Sequence, residues 1–316
     1  MIRFAAGRIA LLVPTLVGMS VLIFLMVRIL PGDVVDVMFA GDVAASTTSK
    51  AAIRKALGLS APLPVQYLDF ARGVVTGNLG QSLTSGEPVA HIISRALPIT
   101  TELAIVATGL ASAVGIPLGV VSSVRPNTWF DLAAHVGGLL GLSLPNFWFA
   151  TLSLLVTSVF FHWIPPVTWV PFARDPLQNA SQVMLPAVAI AVYLLAAVMR
   201  MTRTSMLEVL RQDYVRTARA KGARADRVIV HHALRNSLIP VVTVIGFQLG
   251  GLMGGAAVVE IIFGLPGMGY TLVQGIYSRD YPVIQAAALL LATVFVVLNL
   301  VVDLLYAVLD PRIGLA

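Results

Sequence analysis

The sequence predicts an all-α polytopic membrane protein, from its composition and from the spacing of its apolar runs. Of its 316 residues, 58% are hydrophobic and only 11% are charged, whereas soluble domains carry about 25% charged residues. Six uncharged runs approach or exceed the ~20 residues that cross a bilayer as a helix. We therefore predict six transmembrane helices, at roughly 9–30, 100–124, 132–160, 183–201, 239–262 and 283–309.

The first run follows a short charged segment, as the apolar region of a signal peptide does. Its apolar stretch 9–27 is longer than the ~7–15 residues usual in signal peptides. We therefore expect a retained first helix, with residues 1–30 forming an N-terminal tail and this span.

Residues 31–98 are too many for a plain turn and carry helix signals of their own. Pro64 can start a helix that Gly73 or Gly77 ends. We predict a small extracytoplasmic cap here, followed by a core domain at 99–316.

Proline and glycine interrupt several of the core spans. Pro145 and Pro186 break the third and fourth runs, and such breaks persist in lipid where neighbouring helices or water satisfy the backbone. The fifth run has glycines four residues apart at Gly246, Gly250 and Gly254. This spacing predicts a close contact with another helix.

The loop 200–235 determines the predicted orientation. It holds eight arginines and one lysine of the 21 cations in the chain, against three acids. Cytoplasmic loops carry such an excess, so both termini are also expected in the cytoplasm. The net charge of +6 is thus a topology signal, and nucleic-acid binding is not predicted.

Motifs of enzymes are absent from the sequence. It contains no zinc-protease His-Glu-x-x-His, no Gly-x-Ser-x-Gly, no phosphate-binding loop and no cysteine. His231 and His232 are adjacent, so a helix points them about 100° apart and they suit a metal poorly. Neither an enzyme nor a metal site is predicted.

Three acids lie near or inside predicted spans, where ionisable residues are often functional. They are Glu102, which is predicted in the first turn of a helix, Glu260 and Asp303.

The basic loop has the pattern of short helices. Asp213 can cap a helix that stops at Gly222, and Asp226 can open another that ends near Asn236. Such helices at a membrane surface suit docking into a groove of another protein. The alternative, which composition alone favours, is a solvated loop that binds anionic lipid.

This segment resembles the coupling motif of ATP-binding-cassette (ABC) importer permeases. Ala218, Gly222 and Leu234 match the general motif of Glu-Ala-Ala, three residues, Gly, nine residues and Ile-x-Leu-Pro. The oligopeptide, dipeptide and nickel branch is matched more closely, at Tyr214-Val215, Ala218-Arg219, Lys221-Gly222, His232, Leu234-Arg235-Asn236 and Pro240. Further likenesses to the first permease subunit of that branch include Arg28-Ile-Leu-Pro-Gly-Asp33, Gly77-Asn-Leu-Gly-Gln-Ser82, Leu144-Pro-Asn-Phe-Trp148, Leu265-Pro-Gly-Met-Gly269, Arg279-Asp-Tyr-Pro282 and Asp310-Pro-Arg-Ile313.

The resemblance implies a type I ABC importer transmembrane fold in a bacterial cytoplasmic (inner) membrane. It implies a heterodimer with a second, similar permease, two cytoplasmic ATPase subunits that hold ATP and Mg²⁺, and an extracytoplasmic binding protein. This chain itself would bind no cofactor, and its coupling segment would be 204–238. The residues expected at the ATPase contact are Asp213, Tyr214, Ala218, Arg219, Lys221, Gly222, His232 and Asn236.

The substrate and its path are less specified. Our candidates for the path are Pro145, Asn146, Gln248 and Glu260. Peptides, glutathione, nickel chelates and opines are all carried by importers with these landmarks. An ion-coupled secondary transporter is the alternative class, which would show buried acids and two related halves. A membrane enzyme would need a catalytic constellation that the sequence does not supply.

Overall fold

The computed structural model describes residues 2–29, 34–39, 47–56 and 58–309, and these residues are mostly helical. The helices are α1 (Ile2–Ile29), α2 (Val34–Met38), α3 (Thr47–Ala56), α4 (Leu63–Thr76), α5 (Val89–Val124), α6 (Trp129–Ser143), α7 (Asn146–Phe161), α8 (Pro176–Leu210), α9 (Asp213–Ala220), α10 (Ala225–Arg227), α11 (Arg235–Gly255), α12 (Ala257–Phe263), α13 (Met268–Ser278) and α14 (Tyr281–Leu309), and a π-helical turn, Val228–Leu234, joins α10 to α11. The sequence landmarks at 30–33 and 310–313 lie outside the described residues.

Five helices in the described residues are long and apolar enough to cross a membrane, in α1, α5, α8, α11 and α14. Two sharply bent pairs, α6 with α7 and α12 with α13, raise the number of candidate spans to as many as seven. The predicted all-α polytopic architecture is therefore confirmed.

The centre of the bundle is the pair α5 and α8, which pack along each other. Gly115 and Gly119 of α5 permit this close approach, because a Cβ at Gly119 would lie 2.6 Å from the carbonyl oxygen of Met199. Buried side chains from α5, α8 and α13, such as Leu103, Ile190 and Met268, form the core. Helix α11 packs on α8 and α14, and α1 lies against α14.

The third span predicted at 132–160 is not one continuous helix. Helices α6 and α7 meet at an angle of 101°. Leu144, with φ −94° and ψ 131°, is extended because the ring of Pro145 disfavours the helical conformation of the residue before it. The predicted break at Pro145 is thus confirmed.

The fifth span also differs from its prediction. Helix α11 ends at Gly255, and α12 and α13 then form a second bent pair at 87°. The predicted stop near Asn236 is wrong, since the backbone stays helical from Ala225 through Pro240. A continuous helix keeps the backbone groups of this partly buried segment paired with one another. Gly246 and Gly250 face Val302 and Phe295 of α14, which confirms the predicted close contact.

Helix α5 begins eleven residues earlier than predicted, so Pro98 lies inside it and the expected boundary at 98–99 falls within a helix. Glu102 is consequently not in the first turn of α5.

The residues just before α5 form hydrogen bonds with Asp280, the residue that precedes α14. The buried carboxylate of Asp280 accepts hydrogen bonds from the Thr84 hydroxyl at 2.8 Å and the Leu83 backbone N–H at 3.1 Å.

Candidate functional site

Helix α9 ends in a glycine cap that turns the chain back towards the bundle. Gly222 has φ 78°, its N–H donates to the Arg219 carbonyl at 3.0 Å, and the Ala223 N–H donates to the Ala218 carbonyl at 3.2 Å. These two bonds define a Schellman motif. A Cβ at Gly222 would meet none of the described atoms within 4 Å, so the requirement for glycine there is conformational.

The start of α9 differs from the prediction in one respect. Gln212 is the residue that precedes the helix, and its side chain makes no capping bond. Asp213 is the first helical residue instead of the cap. Its carboxylate still lies at the helix N-terminus, where the macrodipole favours an anion.

Tyr214, His232 and Asn236 join α9 to the first turn of α11. The Asn236 amide donates to the Tyr214 hydroxyl at 2.8 Å and to the His232 carbonyl at 3.1 Å. Beneath them Val215, Val228 and Ala233 are fully buried. The helical turns of the basic loop therefore pack as one unit.

The outward face of this unit is basic. We define the docking surface as the exposed residues Asp213, Arg216, Arg219, Lys221 and Arg224. Arg216 lies 3.6 Å from Asp213, and both side chains are almost wholly in solvent. Arg224 lies 3.3 Å from Asp226, which is also exposed. Exposed ion pairs of this kind contribute little, so all four cations can still meet an acidic partner surface.

The docking surface is attached directly to the central helix of the bundle. Helix α8 runs through Pro186 to Leu210, so the break predicted at that proline is wrong. Only Arg211 and Gln212 separate α8 from α9. Seven residues before the end of α8, Arg203 donates to both oxygens of Asp131, at 2.8 and 2.9 Å. The Ser122 hydroxyl also donates to Asp131. This buried cluster ties α5, α6 and α8 together.

Sequence reasoning missed this cluster. Asp131 lay one residue before a predicted span, and Arg203 was counted among the loop cations. An acid and an arginine at the same end of two neighbouring spans is the signal that could have revealed it.

Glu260 is completely buried, and its carboxylate caps α13. It accepts from the Tyr270 N–H at 2.9 Å and from the Thr100 hydroxyl at 2.6 Å. A Cβ at Gly267 would lie 2.5 Å from the carboxylate. The first backbone N–H groups of a helix favour a negative charge beside them, so the N-terminus of α13 stabilises the Glu260 carboxylate.

The other path candidates lie on different elements. Pro145 is exposed at the bend before α7, Asn146 is the first residue of α7, and Gln248 is half-buried in α11. Within the described part of the chain, no hydrogen bond joins any two of the four candidates. Their role in a substrate path stays a prediction.

A cavity of about 650 Å³ opens beside the first half of α5. Arg95 and Glu102, seven residues apart on that helix, line it together with Trp169 and Thr271. Arg95 donates to both oxygens of Glu87, at 2.6 and 2.7 Å. The cavity wall thus contains a basic, an acidic and an aromatic side chain. The sequence patterns did not predict that these residues lie close together.

Comparison with known families identifies the chain. Residues 115–315 match the family of binding-protein-dependent transport system inner membrane components, and residues 1–104 match the N-terminal region described for these membrane components. The chain belongs to this family. The permease is thus a multi-pass protein of the bacterial inner membrane, and it is the membrane subunit of an ABC importer.

Full-length relatives are similar to the permease throughout. The dipeptide transport system permease protein DppB of Escherichia coli K12 is 41% identical, with 99% of each chain covered. The di/tripeptide transport system permease protein DppB of Pseudomonas aeruginosa is 40% identical, again with 99% of each covered. A putative peptide transport system permease of Brucella suis is 41% identical over 97% of both.

Solved structures support the fold. The methionine ABC transporter MetNI, in an inward-facing conformation, aligns with a TM-score of 0.58 at 19% identity, covering 71% of the permease and 99% of that chain. An amino acid ABC transporter aligns with a TM-score of 0.51 at 15% identity, covering 70% and 94%. The type I importer fold is therefore confirmed. Members of the family work with ATPase subunits and a substrate-binding protein.

Proposed function

We propose that this permease imports peptides, delivered by a binding protein, into the cytoplasm by alternating access. Three relatives that match almost the whole chain are described as carriers of peptides, dipeptides or di- and tripeptides. The observation that carries the proposal is this full-length similarity. Uptake of labelled dipeptide by proteoliposomes containing the complete importer, with its binding protein and ATP, tests it directly. Uptake of a nickel chelate, glutathione or an opine, with none of dipeptide, would contradict it.

We further propose that the docking surface and its supporting residues contact the ATPase subunits. The contact would comprise Asp213, Tyr214, Ala218, Arg219, Lys221, Gly222, His232 and Asn236. Two features support this role, the exposed cations and the short connection to α8, which can transmit displacement as a rigid element.

The absence of cysteine from the chain makes this contact testable by crosslinking. Arg219→Cys should crosslink to the ATPase subunit in the assembled importer. The control is Thr76→Cys, in an exposed residue of α4 on the opposite side of the membrane in the predicted topology. Equal crosslinking at both positions would contradict the assignment.

ATP and Mg²⁺ then belong to the partner subunits, and this chain has no ATPase site. Its sequence lacks a phosphate-binding loop, which such sites use to cradle the phosphates. The isolated chain should hydrolyse no ATP, whereas the complete importer should do so.

The second permease of the proposed heterodimer would cover part of α11 and the start of α12. Phe247, Gly251, Gly254 and Val258 are exposed, at helical spacings of four, three and four residues. A Cβ added at Gly251 or Gly254 would lie more than 4 Å from every described atom that it could contact. Small residues on one face allow close helix packing in lipid. Gly251→Leu should weaken copurification of the second permease, and an unchanged yield would argue against this face.

A further inference from the structure

Helix α4 packs against the first membrane span. The Tyr67 hydroxyl and the Ser20 hydroxyl are 3.0 Å apart. The rings of Tyr67 and Phe70 also contact Phe24, with centroids 5.5 and 6.2 Å away. One face of α4 is therefore fixed on α1.

These contacts place α4 at the depth of the membrane. The uncharged run of α1 lies between Arg8 and Arg28, which are about 30 Å apart at 1.5 Å per residue, the thickness of the hydrocarbon core. Ser20 lies about 12 Å, and Phe24 about 6 Å, inward of Arg28 by the same rise. A helix in contact with both residues lies beside the outer half of the span and not wholly above it.

The two remaining faces of α4 have opposite character. Pro64, Leu68, Ala71 and Val75 follow one another at spacings of four, three and four residues, so they share a face. Leu68 is 64% exposed and Val75 is 87% exposed. The next face around the helix carries the exposed polar residues Asp69, Arg72 and Thr76.

At one edge of the polar face, Asp69 lies next to the rest of the protein. Asp69 and Gly73 line a cavity of about 170 Å³ whose opposite wall includes Gln285 of α14. The Gln285 amide nitrogen is buried and has no hydrogen-bond partner among the described residues. The apolar face lies on the other side of α4 from this cavity.

We propose that α4 is embedded in the outer leaflet and that its apolar face, Pro64, Leu68, Ala71 and Val75, contacts lipid acyl chains. The occupant is lipid because this exposed face is apolar and α4 lies beside Ser20 and Phe24, at the depth of the hydrocarbon core. Residues 31–98 then do not form a wholly aqueous cap, since α4, the longest helix described there before α5, is an interfacial membrane helix.

Spin labels on the assembled importer in nanodiscs test the proposal. The chain has no cysteine, so Leu68→Cys and Val75→Cys each add one labelling site, at exposed positions. The matched control is Thr76→Cys on the polar face of the same helix. The importer with the unchanged chain, labelled in parallel, gives the background from the other subunits.

Collision with oxygen, which concentrates in hydrocarbon, is compared with collision of a water-soluble nickel chelate. We expect oxygen to dominate at positions 68 and 75, and the ratio to reverse at position 76. Dominance of the nickel chelate at 68 and 75 would mean that water covers this face and would overturn the proposal. Low collision of both reagents there would mean that another protein chain covers it, which also overturns the proposal.

Discussion

Thr100 donates a hydrogen bond of 2.6 Å to Glu260, a residue 160 positions further along the chain. The same hydroxyl accepts a bond of 2.7 Å from the backbone N–H of Met268. One side chain of α5 thus satisfies both the buried acid of α12 and the start of α13. This hydroxyl holds the bent α12–α13 pair against the central helix.

Replacing this hydroxyl should destabilise the bend. Thr100→Val keeps the shape but leaves the Met268 N–H and one carboxylate oxygen without a partner, at a cost of about 1–3 kcal/mol. The thermal midpoint of the purified importer should fall, whereas Thr100→Ser, which retains the hydroxyl, should stay close to the parent. Equal midpoints for the valine and serine variants would contradict this role.

The glycine cap of α9 gives a prediction about coupling. Gly222→Pro should abolish transport-coupled ATP hydrolysis, because proline fixes φ near −65° where the structure has +78°. Gly222→Asn should retain most activity, since asparagine tolerates the left-handed conformation. Membrane insertion, followed by fractionation, should be unchanged in both variants. If the binding protein stimulated ATP hydrolysis normally in the proline variant, the glycine cap would not be required for coupling.

The bond between Tyr214 and Asn236 can be measured with a double-mutant cycle. Tyr214→Phe and Asn236→Ala should each weaken binding of the ATPase subunits, and their effects should not add, with a coupling of about 0.5–1.5 kcal/mol. The readout is ATPase affinity for the permease pair in nanodiscs. Additive effects would show that the bond does not shape the docking surface.

The Asp131–Arg203 pair should be sensitive to loss of one partner. Arg203→Ala leaves a nearly buried carboxylate uncompensated, a change that costs about 3–5 kcal/mol, and should reduce the yield of folded permease. Arg200→Ala on the exposed side of the same helix is the matched control. Replacing both members by Leu and Met should be milder than Arg203→Ala alone. A double variant that is worse than the single one would contradict this explanation.

The contact of α5 with α8 predicts a strict requirement for glycine. Gly119→Ala should lower the thermal midpoint, because the added methyl group would meet the Met199 carbonyl and the Thr202 Cβ, both at 2.6 Å. Gly109 is on the same helix, and a Cβ added there would have no neighbour within 4 Å in the described part of the chain. Gly109→Ala should therefore leave the midpoint unchanged or raise it. Similar effects at both positions would assign the change to helix propensity alone.

Apolar length and loop charge were sufficient to predict the membrane class and the basic inner segment. These two features could not predict the angle of 101° between α6 and α7. A proline in the sequence indicates that a helix is interrupted, but it does not indicate the direction in which the next helix runs. The residue spacing around Gly222 predicted its turn, since that turn depends on local backbone conformation.

Partnerships between distant residues were outside the reach of sequence patterns. Glu260 was singled out as an acid inside a span, but Thr100 carried no local signal that connects it with Glu260. Asp131 and Arg203 were separated by 72 positions. Such pairs are set by how helices pack, which a single sequence does not specify.

The π-helical turn Val228–Leu234 also determines which side of α11 meets α14. A residue removed from this turn would rotate the rest of the helix by about 100° at 3.6 residues per turn. Phe247 would then occupy the position of Gly246, and Gly251 that of Gly250. Since even a Cβ at position 246 would clash with Val302, the aromatic ring would not fit. The number of residues in a cytoplasmic turn therefore fixes the rotational register of a membrane-spanning helix.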